Sequence, residues 1–197
     1  GILGWSKIGT TAAFILISPL LGYIGAAVLM VASSWLLRRS NPGKVDTWFR
    51  RLQFLSASAF SLNHGGNDAQ KTMGIIAVLL FSQGMLGETF PAGDQFPLWI
   101  VLSCHAAMGL GTMAGGWRIV KTMGMRLTKL RPFGGFCAET GGAAAIFLAT
   151  TLGIPVSTTH TITGAIVGVG SVSSPGRLRW GVAGRIVWAW VFTIPAS

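Results

Sequence analysis

The segment Asn63-His64-Gly65-Gly66-Asn67-Asp68-Ala69-Gln70-Lys71-Thr72 stands between two apolar arms, residues 54–62 and 73–81. A polar block with two formal charges, set inside an otherwise apolar stretch, decides how the chain is read. Moving a charged side chain to the bilayer centre costs about 2.5–3.5 kcal/mol on insertion scales, and such residues mark transport paths or proton relays. Adjacent glycines each weaken a helix by about 1 kcal/mol. The block therefore predicts a discontinuous helix with charge at its break, in an all-α polytopic membrane protein. Asp68 and Lys71 stand at i,i+3 and can meet on one helix face. Asn67, Gln70 and Thr72 favour a wet polar site over a lone charge pair.

The rest of the chain supports lipid as the solvent. Of 197 residues, 51% are hydrophobic and only 10% are charged, against roughly 25% charged in an ordinary soluble domain. So few charges cannot cover a soluble surface, which excludes a typical soluble enzyme and a disordered chain. Lys and Arg number 15 against 5 acids, a net charge of +10. Nucleic acid is excluded as a partner, because the basic residues sit in short clusters between apolar runs rather than interleaved with aromatics. Clusters of that kind mark cytoplasmic loops. Segments 38–51, 118–131 and 173–179 are basic and are placed inside. Segment 82–95, with Glu88 and Asp94 and no basic residue, is placed outside. The run 8–37 then crosses inward, with a kink expected at Ser18-Pro19 and close packing at Gly22 and Gly25. Run 52–81 crosses outward and run 96–117 inward. Gly109, Gly111, Gly115, Gly116, Gly141 and Gly142 read as packing glycines. Cys104 and Cys137 read as buried free thiols. The chain starts at Gly1, has no signal-peptide layout and stops inside an apolar run, so it is expected to be a piece of a longer polypeptide.

A second polar block, Pro155-Val156-Ser157-Thr158-Thr159-His160-Thr161, interrupts the segment 134–172. Its second apolar arm, from Ile162, is about 11 residues or roughly 16 Å long, half the hydrocarbon core. This predicts a re-entrant hairpin with a polar tip, which is tolerated only when buried in protein or lining a wet cavity. Ser157 is placed as a helix N-cap. A helix N-terminus with several hydroxyls is a ready anion site, and half-helix ends aimed at a midplane substrate recur in transporters. His64 and His160 lie one in each block; each reads first as a structural histidine, with a proton role as the alternative. His105, alone on an apolar helix, reads as structural. Glu139 lies in the first arm of the hairpin and is open to either a coupling-ion contact or helix packing. Three separated histidines give no metal-site spacing.

The two blocks together resemble the inorganic phosphate transporter family of the low-affinity Pit type. The resemblance rests on His64-Gly65-Gly66-Asn67-Asp68-Ala69-Gln70-Lys71 and Pro155-Val156-Ser157-Thr158-Thr159-His160. Gly111-Thr112-Met113, Gly116-Trp117-Arg118 and Trp188-Ala189-Trp190-Val191-Phe192-Thr193 are also similar to that family. The resemblance implies a non-enzymatic, multi-pass symporter in the plasma (bacterial inner) membrane, built from two inverted repeats. Each motif occurs twice in the family and once here. On that basis residues 1–39 are expected to be the last helix of the first repeat, and 40–51 a cytoplasmic linker. Residues 52–197 are expected to be most of the second repeat, with a broken helix over 52–81, a helix over 96–117, a re-entrant hairpin over 134–172 and a final helix over 186–197. The missing N-terminal half of the same polypeptide would complete the site, or a second copy in a homodimer. Ser157, Thr158 and Thr159, with Asn67 and Lys71, are expected to bind phosphate. Asp68 and Glu139 are expected to meet the coupling ion, and His64 and His160 are candidates for a proton relay. No cofactor and no resident metal are expected. The coupling ion is H⁺ or Na⁺, with Gln70-Lys71 after Asn67-Asp68 closer to the proton-coupled bacterial members, and a divalent metal–phosphate complex is a further form of the cargo.

Three alternatives stand beside this reading. The same fold could carry sulfate or another tetrahedral oxyanion. Ser157 and His160 with Asp68 could form an intramembrane serine hydrolase, although no small-residue elbow surrounds Ser157. A non-transporting scaffold would leave the intramembrane Asp68 and Lys71 without a role.

Overall fold

The computed structural model describes residues 5–87, 90, 96–154 and 156–196. Glu88, Asp94 and Pro155, on which parts of the sequence reading fall, lie outside them. The described residues are helical: α1 (Trp5–Leu36), α2 (Pro42–Ser82), α3 (Leu98–Gly115), α4 (Trp117–Lys121), α5 (Pro132–Thr151), α6 (Thr158–Ser173) and α7 (Trp180–Ala196). A π-helical turn, Thr122–Leu127, follows α4, and a 3-10 turn, Pro175–Arg177, precedes α7. Ala12–Leu36, Leu98–Gly115 and Pro132–Thr151 are long and apolar enough to cross a membrane.

The helix expected to break at Gly65-Gly66 does not break. α2 runs as one helix for 41 residues, through the whole polar block. Two glycines cost about 2 kcal/mol together relative to alanine. Opening the helix would instead strand several backbone groups, each costing several kcal/mol away from water. A Cβ at Gly65 or Gly66 would meet nothing within 4 Å, so neither glycine is there to admit a neighbour. The linker expected over 40–51 is also helical from Pro42 onward. At 1.5 Å per residue α2 is about 62 Å long, twice the hydrocarbon thickness. Its first turns, bearing Lys44, Arg50 and Arg51, can extend beyond the apolar layer without ending the helix.

The residues form two packing units. One takes the chain up to Phe60 and from Arg118 onward; the other is Ser61–Trp117.

In the first unit α1 lies against the α5–α6 hairpin with backbones in contact. A Cβ on Gly164 would strike the Pro19 carbonyl, and one on Gly168 the Tyr23 carbonyl. One on Gly22 would strike the Thr161 carbonyl, and one on Gly141 the Ala26 backbone. Gly164 and Gly168 are spaced i,i+4, the small-xxx-small pattern of close membrane-helix packing. Ala26, Met30, Leu127, Cys137, Ala138, Ala165, Ile166 and Val169 form the buried core beneath. Tyr23 Oη and Ser171 Oγ add a hydrogen bond of 2.9 Å along the same seam. The first half of α2 packs on α5 through Phe49, Gln53, Ser56 and Phe60, an i,i+4,i+7 stripe. Phe49 meets Phe133 and Phe136 edge-on at 4.7 and 5.1 Å. Gln53 closes on Gly135, Ser56 on Glu139 and Phe60 on Gly142. Contacts that advance together along both chains mean parallel helices. Thus α1 runs parallel to α6 and α2 parallel to α5, the same directions that the loop charges imply.

In the second unit Ala69 and Met73 of α2 pack on Ile100 and Cys104 of α3. Both cysteines are buried and free, as expected. Gly109, Gly111 and Gly115 do not pack as expected, since a Cβ on any of them would meet nothing within 4 Å. α6 has 16 residues, or about 24 Å, because the hydroxyl block belongs to the helix. That is longer than the 16 Å arm read from the sequence, so arm length no longer argues for a re-entrant hairpin. The final helix starts at Trp180, six residues before the expected 186.

Candidate functional site

The first cluster is on α2. Asp68 is held by two neighbours on its own helix. Lys71 Nζ lies 3.1 Å from Asp68 Oδ1, and His64 Nε2 lies 3.4 Å from Oδ2. The spacings i,i+3 and i,i+4 put all three on one face, which requires the helix to be unbroken. Both carboxylate oxygens are thereby engaged, and the Asp68 side chain is 26% exposed. Asn67, one residue before, is buried. The charge pair expected from spacing is present, and His64 extends it to three groups.

The second cluster opens α6. Ser157 has extended backbone and caps the helix, its Oγ accepting from the His160 backbone N–H at 3.4 Å. The first amides of a helix have no intrahelical partner, so the cap takes up the third of them. The hydroxyls of Thr161 and Thr163 donate to the carbonyls of Ser157 and Thr159 at 3.0 and 2.7 Å. Those two threonines are committed to their own helix. Thr158 is 3% exposed, while Thr159 is open. The serine-hydrolase alternative finds no dyad here. Ser157 Oγ faces the amide of His160, and the His160 ring stacks on Trp190 with centroids 3.9 Å apart. The same imidazole hydrogen-bonds the Ile15 backbone. Ile15 is the residue four before Pro19, whose missing N–H strands that carbonyl in α1. His160 thus repairs the defect that Pro19 makes.

The third element is Glu139 on α5. Ser56 Oγ–H donates to Glu139 Oε2 at 2.5 Å, and the Gln53 side chain bonds the same carboxylate. Ser56 is buried. Sequence reasoning missed Gln53, Ser56, Ile15 and Trp190. The signal for the first two was present: Gln53 and Ser56 sit at i,i+3 within an aromatic stripe, where polar groups need partners.

His64, Asn67, Asp68 and Lys71 belong to the unit Ser61–Trp117, whereas Ser157, Thr158, Thr159, His160 and Glu139 belong to the other. Among the described residues, no three His, Cys, Asp or Glu side chains are arranged to hold a metal ion.

Comparison with known proteins adds the following. The phosphate transporter family matches residues 1–197. A protein of Rhizobium meliloti (strain 1021) named "Probable low-affinity inorganic phosphate transporter" is 60% identical over 98% of this chain and 57% of its own length. A protein of the same name from Bacillus subtilis (strain 168) is 39% identical over 93% of this chain and 54% of its own. Among solved structures, "The sodium-dependent phosphate transporter" matches with a TM-score of 0.66 and 25% identity, over 94% of this chain and 53% of that one. The chain spans about half the length of the curated relatives it matches.

Proposed function

The chain belongs to the phosphate transporter family, whose members are transporters and not enzymes, and from that premise we propose that it forms part of a cation-coupled symporter for inorganic phosphate in a bacterial inner membrane. The α6 N-terminus is the anion end of the path. Ser157, Thr158 and Thr159 bring three hydroxyl side chains to a helix end where the dipole is positive. That hydroxyl-rich, serine-capped terminus is the observation that carries the reading, because capping alone uses one side chain.

Asp68 is the coupling group. Its two oxygens are taken by Lys71 and His64, so the lysine charge is compensated at rest. A proton or Na⁺ at Asp68 would release Lys71 toward an anion, and an anion on Lys71 would release Asp68 toward a cation. Each ligand then favours the other by the same factor. Glu139 with Ser56 and Gln53 is a second carboxylate suited to a coupling ion. The proton is the favoured ion on the motif Asn67-Asp68-Ala69-Gln70-Lys71. α1 closes one inverted repeat, and α2 onward forms most of the second, with α5–α6 as a hairpin re-entering from the cytoplasmic side.

The test is uptake of labelled phosphate by the full-length transporter in proteoliposomes, with a pH gradient, with a Na⁺ gradient and with neither. Uptake driven by the pH gradient and lost with Asp68→Asn supports the reading. Phosphate uptake unaffected by either gradient overturns the coupling, and uptake of sulfate in preference to phosphate overturns the substrate.

A further inference from the structure

The ends of α1, α5 and α6 meet around a cavity of about 850 Å³, well away in sequence from both polar blocks. Arg38, Lys129 and Arg131 line it against a single acid, Asp46, and Ser173 and Ser174 complete its polar wall. None of the three cations forms an ion pair among the described residues, where both recorded pairs are on Asp68. Three cations facing one carboxylate leave an excess of two positive charges in a concave site. An anion is the ligand such a site takes, and phosphate oxygens are the acceptors that guanidinium groups bind best.

The size argues against a small free anion. Pockets of 300–1,000 Å³ hold drug-sized molecules, and orthophosphate would leave most of this one empty. The cavity also has a neighbour. A groove of about 580 Å³ shares Leu37, Ser40 and Val45 with it and continues over Trp48, Phe49 and Leu52. A cationic chamber adjoining a mostly apolar groove, whose lining also includes Asn41 and Lys44, fits a molecule with a phosphate head and a hydrocarbon tail.

The surroundings place both at a membrane surface. Trp35 and Trp48 are exposed beside them, and the Arg38 guanidinium lies 5.2 Å above the Trp35 ring. Exposed tryptophans beside basic residues are the pattern of a bilayer interface. The three loops that meet here are the basic ones placed on the cytoplasmic side, where anionic lipids concentrate basic segments.

We propose that this cavity binds the phosphodiester headgroup of an anionic phospholipid of the cytoplasmic leaflet, with one acyl chain in the adjoining groove. The bound phosphodiester, with its single negative charge, would offset one of the two excess positive charges and tie the end of α1 to the base of the α5–α6 hairpin. The site is independent of the anion end at Ser157, so failure of one reading leaves the other standing.

The test uses the full-length transporter in nanodiscs of phosphatidylcholine containing one-tenth phosphatidylglycerol, released from its discs and weighed by native mass spectrometry. The protein should retain phosphatidylglycerol and not phosphatidylcholine. Arg38→Gln with Arg131→Gln should cut that retention by roughly tenfold or more, as expected for loss of charge-assisted contacts. These arginines also set loop charge, so two variants keep the charge: Ser34→Trp, which fills the cavity, should lose the lipid as well, and Arg38→Lys with Arg131→Lys should keep most of it. Equal retention of both lipids, or retention unchanged by Ser34→Trp, overturns the proposal. Displacement of the lipid by millimolar glycerol phosphate or pyrophosphate would assign the cavity to a soluble phosphate compound instead, and would overturn it too.

Discussion

Ser56 Oγ lies 2.5 Å from Glu139 Oε2, a hydrogen bond between α2 and α5 across 83 residues of sequence. With Gln53 it gives the carboxylate two donors from one helix. A hydrogen bond to a charged group is worth roughly 1.5–3 kcal/mol, so the contact stabilises the α2–α5 seam whatever else Glu139 does. Structural and functional roles can be separated by substitution. Glu139→Gln keeps the shape and an acceptor for Ser56, and is expected to leave the melting temperature of the full-length protein within a few degrees while changing the ion dependence of uptake. Ser56→Ala removes a donor and is expected to lower stability by roughly 1–3 kcal/mol. A Glu139→Gln protein with wild-type ion dependence would reduce Glu139 to helix packing.

The glycine seam gives a prediction about stability alone. At Gly164 and Gly168 an added methyl meets the backbone carbonyls of Pro19 and Tyr23, which cannot move aside without shifting α1. Overpacking of this kind costs about 1–3 kcal/mol. Gly164→Ala or Gly168→Ala should lower the melting temperature clearly, whereas Gly109→Ala, in open space, should leave it unchanged or raise it. If the three variants melt alike, α1 does not pack on the hairpin as described.

Much of this was legible from residue order. The parallel pairs α1–α6 and α2–α5 have the relative directions that the loop charges predict. Small residues at Gly22 and Gly141 marked the tight seam. The polar block around Asp68 was legible as a cluster of interacting side chains but not as a helix. Local propensity charges glycine its entropy, yet it does not count the backbone groups that a break would strand. Partners of buried groups were the hardest part. Glu139 finds Ser56 only once α2 and α5 lie side by side, and His160 finds Ile15 only because Pro19 sits four residues on in another helix. The stripe shows that Gln53 and Ser56 need partners, but no local pattern says which residue, 83 positions away in the case of Ser56, supplies one.

The α6 terminus can be tested without confusing ligand loss with loss of a cap. Ser157→Ala removes the hydroxyl and the cap together, at about 1 kcal/mol for the cap. Ser157→Asn keeps a capping oxygen while changing the group offered to an anion. If Ser157 binds phosphate, both variants should raise the KM for uptake by roughly tenfold or more, since one hydrogen bond to a charged ligand is worth 1.5–3 kcal/mol. Thr158→Val, which is isosteric, should act in the same direction. Should Ser157→Asn keep the wild-type KM while Ser157→Ala does not, the serine is a cap and no ligand.

The hairpin direction can be read by single cysteines in a full-length background freed of its native thiols. Lys129→Cys and Ser173→Cys, at the two open ends, should react with an impermeant maleimide only from the cytoplasmic side. Leu152→Cys, at the exposed turn between α5 and α6, should be shielded from the outside reagent if the hairpin re-enters. Rapid outside labelling of position 152, with or without phosphate, would make α5 and α6 two full spans.

The coupling role rests on Asp68 and its two partners, and the substitutions there separate charge from chemistry. The Asp68–Lys71 pair is partly exposed at 3.1 Å; in a water-lined path such a pair contributes only about 0.2–1 kcal/mol to stability, whereas against lipid the lysine charge alone costs about 2.5–3.5 kcal/mol. On the transport-path reading Asp68→Asn should therefore leave folding nearly intact while removing the carboxylate from Lys71. Under the coupling scheme, phosphate would still bind, because Asp68 no longer holds Lys71, but a cation gradient would no longer drive its accumulation. Lys71→Gln alone should do the opposite, weakening phosphate binding while the carboxylate still takes up a cation. The double variant Asp68→Asn with Lys71→Gln restores local neutrality and should insert and express like the parent. A pair that only joined turns of α2 would lose little in either single variant, and the double variant would transport normally. Concentrative uptake by the double variant at the wild-type rate would falsify the coupling role of Asp68, whereas binding without accumulation in Asp68→Asn, set against lost binding in Lys71→Gln, is the outcome the coupling scheme predicts.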